Sequence, residues 1–195
     1  MDKDALLRTI AETGYNVGFG AKKHFATYDI VEKAPGLIGF VSLAVGIFSL
    51  VFDQLSAKLP SACLAVAGVC GLYITFYDHK KAEYDRVGRE LTRLFNELRD
   101  LYRSVKAGAD VPASLATLKA IEGIYYSLSI SNQALFSDWY AHYKFFSQQQ
   151  IDWIHEQKNF TWRDKFPISL LIASVLVLVA AVWVALVTFA DCFPG

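Results

Sequence analysis

Gly36-Leu-Ile-Gly-Phe-Val-Ser-Leu-Ala-Val-Gly-Ile-Phe-Ser-Leu-Val-Phe52 runs into Asp53–Pro60 and then into Ser61-Ala-Cys-Leu-Ala-Val-Ala-Gly-Val-Cys-Gly-Leu-Tyr-Ile-Thr-Phe-Tyr77. Each apolar run has 17 residues and no charge. That is the short end of what spans a bilayer as a helix. A buried soluble hairpin is the alternative, but such a helix carries one apolar stripe, and these runs are apolar all round. The eight residues between them form a short polar turn ending in Pro60. Two antiparallel spans joined in this way make a membrane hairpin, in which every backbone group is paired within its own helix. A signal peptide explains the first run poorly, because 35 residues with charges of both signs precede it.

A third run, Phe166–Ala190, has 25 residues and no charge. As a helix it measures ~37 Å, longer than the hydrocarbon core. The expected architecture is therefore an all-α membrane protein. A pre-membrane helix (1–35) leads to a transmembrane hairpin (36–52 and 61–77). A helical region (78–165) and a third transmembrane helix (166–190) follow. Lysine and arginine number five in residues 1–35, one in the turn (Lys58) and thirteen in 78–165. Positive charge stays inside, so the N-terminus and the 78–165 segment are expected in the cytoplasm, and the turn and C-terminus outside. Tyr77, Trp162 and Phe166 stand at the inner borders, where amphipathic rings settle.

Composition excludes other classes. The chain is 54% hydrophobic and 19% charged, with mean hydropathy +0.29. Disorder needs the opposite balance. Nineteen basic residues against nineteen acidic leave no surplus for nucleic acid. Three cysteines in 195 residues are no disulfide framework.

Lipid gives helices no hydrophobic reason to associate, so small residues mark where backbones can meet. Gly39, Ser42, Gly46 and Ser49 share a face of the first span, and Asp53 continues it outward. Cys63, Ala67 and Gly71 are spaced by four on the second span, with Gly68 alongside. Ser174, Ala181, Ala185 and Thr188 share a face of the third. Helix packing is one reading. The other is a pore wall in an oligomer, with Asp53 as an acidic ring at the outer mouth. Cys63 and Cys70 lie about 10 Å apart along a helix, too far to bridge, and read as packing residues. Cys192, just past the third run, is placed to pair between protomers.

After the second span, Tyr84, Val87, Leu91, Leu94, Leu98, Leu101 and Val105 keep 3-4 spacing. Phe95 and Tyr102 widen this seam, which favours a bundle over a two-stranded coiled coil. Nothing breaks the chain between Ser61 and Lys106, so the span and this helix can form one rod of ~69 Å, weakest at Gly88. Gly108 and Pro112 end it. A shorter helix follows with Leu115, Leu118, Ile121, Ile124, Tyr125 and Leu128 on one side. A third segment, Gln133–Lys158, is rich in aromatics: Phe136, Trp139, Tyr140, Tyr143, Phe145, Phe146 and Trp153. It reads as bundle core, or alternatively as an interfacial helix under the membrane. Before the hairpin, Val17, Ala21, Phe25, Tyr28 and Val31 give a weak stripe, with Lys22, Lys23 and His24 expected to face headgroups or cytosol.

Catalytic patterns are missing from the sequence. His155-Glu-Gln-Lys-Asn159 starts like a zincin helix but has Asn159 where the second histidine belongs. Gly14, Gly18 and Gly20 are in the wrong order for a dinucleotide fingerprint, and no P-loop pair follows. No span holds a buried ionisable pair. Neither an enzyme nor a bound cofactor or metal is expected.

Tyr15-Asn-Val-Gly-Phe-Gly-Ala-Lys-Lys-His-Phe-Ala-Thr-Tyr28, the hairpin Gly36–Tyr77 and the charged helix leaving it resemble the SLATT family, the SMODS and SLOG-associating two-transmembrane effectors of bacteria. The likeness covers roughly residues 10–160, and the third run adds a helix to the minimal pattern. The resemblance implies an inner-membrane effector of conflict systems that oligomerises and perforates the membrane after a partner senses phage. That partner is expected to make or sense a nucleotide signal. It brings no catalytic residues. A non-conducting membrane scaffold that docks a soluble partner is the second expectation. A transporter is disfavoured by the lack of an inverted repeat.

Overall fold

A computed structural model describes residues 2–192, without the side chains of 184, 185 and 187–192. It is helical, with no strand among the described residues. The chain divides into two units, Met1–Lys158 and Asn159–Gly195.

Helix α1, Lys3–Phe48, is the axis of the first unit. Asp2 caps it by accepting from the Ala5 amide at 2.8 Å. At 46 residues it measures ~69 Å, and it runs through Pro35 without ending. The expected boundary between residues 35 and 36 therefore falls inside one helix. Proline removes one N–H and leaves the Val31 carbonyl without its usual donor, typically at a cost of ~3 kcal/mol. Packing on both sides of Pro35 holds the helix together. The first part lies in the bundle and the last part against α2, Lys58–Thr75.

The bundle closes around the first thirty residues of α1. Helix α3, Lys81–Lys106, is its main partner. Tyr84, Val87, Leu91, Leu94, Leu98 and Val105 are buried, as the seam requires. Leu101 is only half-buried, while Phe95 and Tyr102 are buried in full. The stripe is wide because α3 meets the later helix Asp152–Lys158 as well as α1: the Tyr102 ring lies 5.4 Å from that of Trp153. Gly108, at φ 105°, ends α3, and Asp110 caps α4, Val111–Leu128. Of the expected α4 stripe, Leu118 and Ile121 reach the core, and Ile124 is exposed.

The rod expected from Ser61 to Lys106 is interrupted, but not at Gly88. Helix α2 ends at Thr75, and a 3₁₀ turn at Asp78–Lys80 precedes α3. Gly88 is instead a contact point, since a Cβ there would stand 3.0 Å from the Phe25 ring.

The aromatic segment is two helices, α5 (Ser137–Gln148) and α6 (Asp152–Lys158), separated by extended backbone at Gln149. Both pack in the bundle rather than lying as one interfacial helix. Phe145 is fully buried, with its ring 5.3 Å from Tyr15 and 6.0 Å from Phe19. Two glycines of α1 make room for such rings. A Cβ on Gly14 would fall 2.2 Å from the Trp153 ring, and one on Gly18 2.7 Å from Phe95 and 3.0 Å from Phe145. These glycines are seats for aromatic side chains.

The second unit holds α7, Ile168–Cys192, entered through a 3₁₀ turn at Arg163–Lys165. The Asp164 carboxylate accepts from the Thr161 amide (2.7 Å) and hydroxyl (2.8 Å). Within α7 the Ser174 hydroxyl donates to the Leu170 carbonyl at 2.8 Å, and Ala181 is exposed. The side chains of Ala185, Thr188 and Cys192 lie outside the described residues.

Candidate functional site

Among the described residues, two stretches are long and apolar enough to cross a membrane: α1, and Lys58–Lys106, which takes in α2, the 3₁₀ turn and α3. In each, only 6% of the apolar window is buried, which separates them from the core helices of a soluble protein. The loop between them is tied internally, with the Ser56 hydroxyl donating to the Ser49 carbonyl at 2.9 Å.

The antiparallel pair has a definite seam. Ile38, Ser42, Val45 and Ser49 of α1 are half-covered, as are Leu64, Ala67 and Ile74 of α2. Gly71 is buried, and a Cβ there would meet Ile38 at 3.5 Å. The candidate small-residue set is therefore split. Ser42, Ser49, Ala67 and Gly71 lie on the seam inside one chain. Gly39, Gly46, Asp53 and Cys63 are exposed. A Cβ on Gly39 or Gly46 would meet nothing within 4 Å. The face Gly39/Ser42/Gly46/Ser49 expected to act as one surface divides because the α2 contact is centred on Ile38 and Val45. The glycines stand a quarter turn away from that centre.

Below the hairpin, the loop between α4 and α5 is locked onto α1 and α3 by a polar network. His24 is 3% exposed. Its Nδ1–H donates to the Gly20 carbonyl at 2.7 Å, so Nε2 accepts from the Ile130 amide at 3.3 Å. Thr27 donates to Gln133 Oε1 (2.6 Å), and the Gln133 amide donates to the Ile130 carbonyl (2.7 Å). From α3, the Tyr84 hydroxyl donates to the Asn132 carbonyl at 2.6 Å. Burial pushes the His24 pKa below its ordinary value, and neighbouring Lys23 adds to this.

The headgroup role expected for Lys22, Lys23 and His24 does not hold for His24, which is a core residue. Helix α5 and the locked loop cover that side of α1. Lys23 pairs with Asp138 of α5 at 2.7 Å. Lys22 is half-buried, and its pKa is lowered by burial and by Lys144. Lys144 in turn pairs with Asp29, which also accepts from Lys33 at 2.7 Å. Burial alone would raise the Asp29 pKa, but the two lysine hydrogen bonds outweigh it and hold the carboxyl low.

Between hairpin and loop lies an apolar cleft of about 470 Å³, walled by Ile30 and Ala34 of α1, Cys70 and Ile74 of α2, and Leu135 and Phe136 of the loop. Phe136 holds φ 66°, a costly conformation for an aromatic residue. Its ring lies 5.0 Å from Trp139. Thr27, Tyr84 and Gln133 form no sequence motif, because the bonds that join the helices to this loop span 48 and 106 positions.

A family model for the SMODS and SLOG-associating 2TM effector domain 6 matches residues 1–174. The chain belongs to this SLATT family. The match takes in the hairpin, the whole bundle and the start of α7. The last part of α1 and the whole of α2 are the candidates for the two spans of the SLATT domain, and the family implies a membrane effector of conflict systems. Searches of curated proteins and of solved structures found no match.

Proposed function

We propose that this SLATT protein is a homo-oligomeric, non-enzymatic effector whose hairpins assemble into a pore that depolarises the bacterial inner membrane. One observation carries the reading. The intrachain seam uses Ser42, Ser49, Ala67 and Gly71, and leaves Gly39 and Gly46 on an open face. In lipid, an exposed glycine pair seven residues apart serves close approach of another helix. A second copy supplies that helix. Asp53 does not continue the face, because α1 ends at Phe48 and Asp53 begins the 3₁₀ turn Asp53–Ser56 beyond it, exposed at the hairpin tip. The bundle lies in the cytoplasm, and α7 forms a third crossing with its C-terminus outside. A partner that makes or senses a nucleotide signal acts on the bundle, and the pinned loop beside the apolar cleft is where bundle repacking meets the spans.

The test is a membrane-potential dye in cells expressing the intact chain. The native protein should depolarise them. Gly46→Leu should insert and fold, because its site is open, yet depolarise weakly, because leucine blocks close approach. Asp53→Asn should shift cation preference in bilayer recordings. A native chain that never depolarises cells would support the scaffold instead, and full activity in Gly46→Leu would remove Gly46 from the assembly face.

A further inference from the structure

The far end of the bundle carries a cleft that neither the hairpin nor the locked loop uses. Lys3 Nζ donates there to the Lys106 carbonyl at 2.9 Å, so this end lies ~50 Å along α1 from Gly36. The cleft, about 250 Å³, opens between the last turns of α3 and the residues around α6. Arg99, Arg103 and Lys106 border it, against Asp152 and Glu156. Glu156 is already engaged, accepting from Lys106 at 2.7 Å and from the Tyr102 hydroxyl at 2.9 Å.

The arginines are poorly matched. Arg103 comes only within 3.9 Å of Asp100, and Arg99 Nε lies 3.5 Å from the same carboxylate. Arg99 Nε is buried and has no hydrogen-bond partner among the described residues. Trp153, which also borders the cleft, is 7% exposed, and its indole N–H has no partner among them either. Buried donors in folded proteins are nearly always paired. Leaving one unpaired costs about 1–3 kcal/mol. Two orphan donors and two guanidinium groups sharing one carboxylate make a site short of acceptor oxygens.

We infer that this cleft binds a small phosphate-bearing molecule. Its oxygens take the forks of Arg99 and Arg103, a geometry guanidinium suits, and the Trp153 N–H adds a further donor. The space equals about eight water volumes, enough for a phosphate and a small appended group, not for a folded partner. Asp152 disfavours a bare polyanion and selects a hydroxyl or amino group beside the phosphate. Bound there, the ligand clamps α6 to α3 at the point where the chain leaves the first unit. This site does not depend on whether the hairpin conducts.

The test is calorimetric titration of the intact chain in detergent, at fixed ionic strength, with inorganic phosphate and with glycerol 1-phosphate. Both should bind saturably, glycerol 1-phosphate more tightly. Arg103→Gln, at an exposed side chain, should keep the fold and weaken binding about tenfold, as loss of one charge-assisted contact predicts. Arg89→Gln, whose partner is Asp85 on another part of α3, should leave affinity unchanged. Absence of saturable heat at millimolar probe would overturn the inference. So would native affinity in Arg103→Gln, or an equal loss in Arg89→Gln, which would mean general charge attraction.

Discussion

Replacing Gly18 by alanine tests the packing around α1 directly. The new Cβ would stand 2.7 Å from the Phe95 ring and 3.0 Å from the Phe145 ring. Both rings are buried to within 1% of their surface, so neither has solvent to move into. Overpacking of this kind costs about 1–3 kcal/mol. Removing a glycine from a helix interior returns roughly 0.5–1 kcal/mol. The net expectation is a loss of roughly 0.5–2 kcal/mol, or a fall in Tm of about 2–6 °C for a chain of this size. Gly123→Ala is the matched control. It lies on exposed α4 backbone with nothing within 4 Å of its Cβ, so only the helix gain remains and Tm should rise slightly. Thermal unfolding of the detergent-solubilised protein, followed by tryptophan fluorescence, reads both. If Gly18→Ala is as stable as Gly123→Ala, the rings do not rest on the α1 backbone and the core argument fails.

Two further outcomes concern the locked loop. His24 has a lowered folded pKa, so as pH falls below about 6.5 the unfolded chain takes the proton first. Stability should therefore drop from that point down to the folded value, and the Ile130 amide should exchange faster with solvent. A His24→Gln variant should lose this pH dependence, and an identical profile in the variant would assign it elsewhere. Tyr84→Phe removes the donor to the Asn132 carbonyl while keeping the ring in place. The unpaired carbonyl should cost about 1–3 kcal/mol and speed limited proteolysis within residues 129–136. Unchanged cleavage would show that the other bonds alone hold the loop.

The seam of α3 was legible in the sequence because one helix face repeats its apolar side chains at Tyr84, Val87, Leu91, Leu94 and Leu98. The role of α1 was not, and for a physical reason. A helix enclosed on several sides has no single stripe. It buries Ala11, Gly14, Gly18, Ala21 and Ala26 along with Val17 and Val31, and small residues barely register as apolar. The boundary between 35 and 36 follows from where the uncharged run begins, yet the chain stays helical across it, Pro35 included. The break between α5 and α6 carries no glycine or proline, only Gln149, Gln150 and Ile151, so no local signal marked it. In the hairpin, spacing alone put Gly39, Ser42, Gly46 and Ser49 together. Only the partner helix decided which of them faced it.

The unbroken course of α1 through Pro35 means that the core and the first span share a single angular setting. Each residue of that helix turns the next by about 100° and advances it by 1.5 Å, with no loop between to absorb a twist. Whatever rotates the packed lobe about its axis therefore swings Gly39, Gly46 and the face beside them by the same angle within the lipid. Along such a helix a turn at one end arrives at the other as a change of orientation rather than of distance.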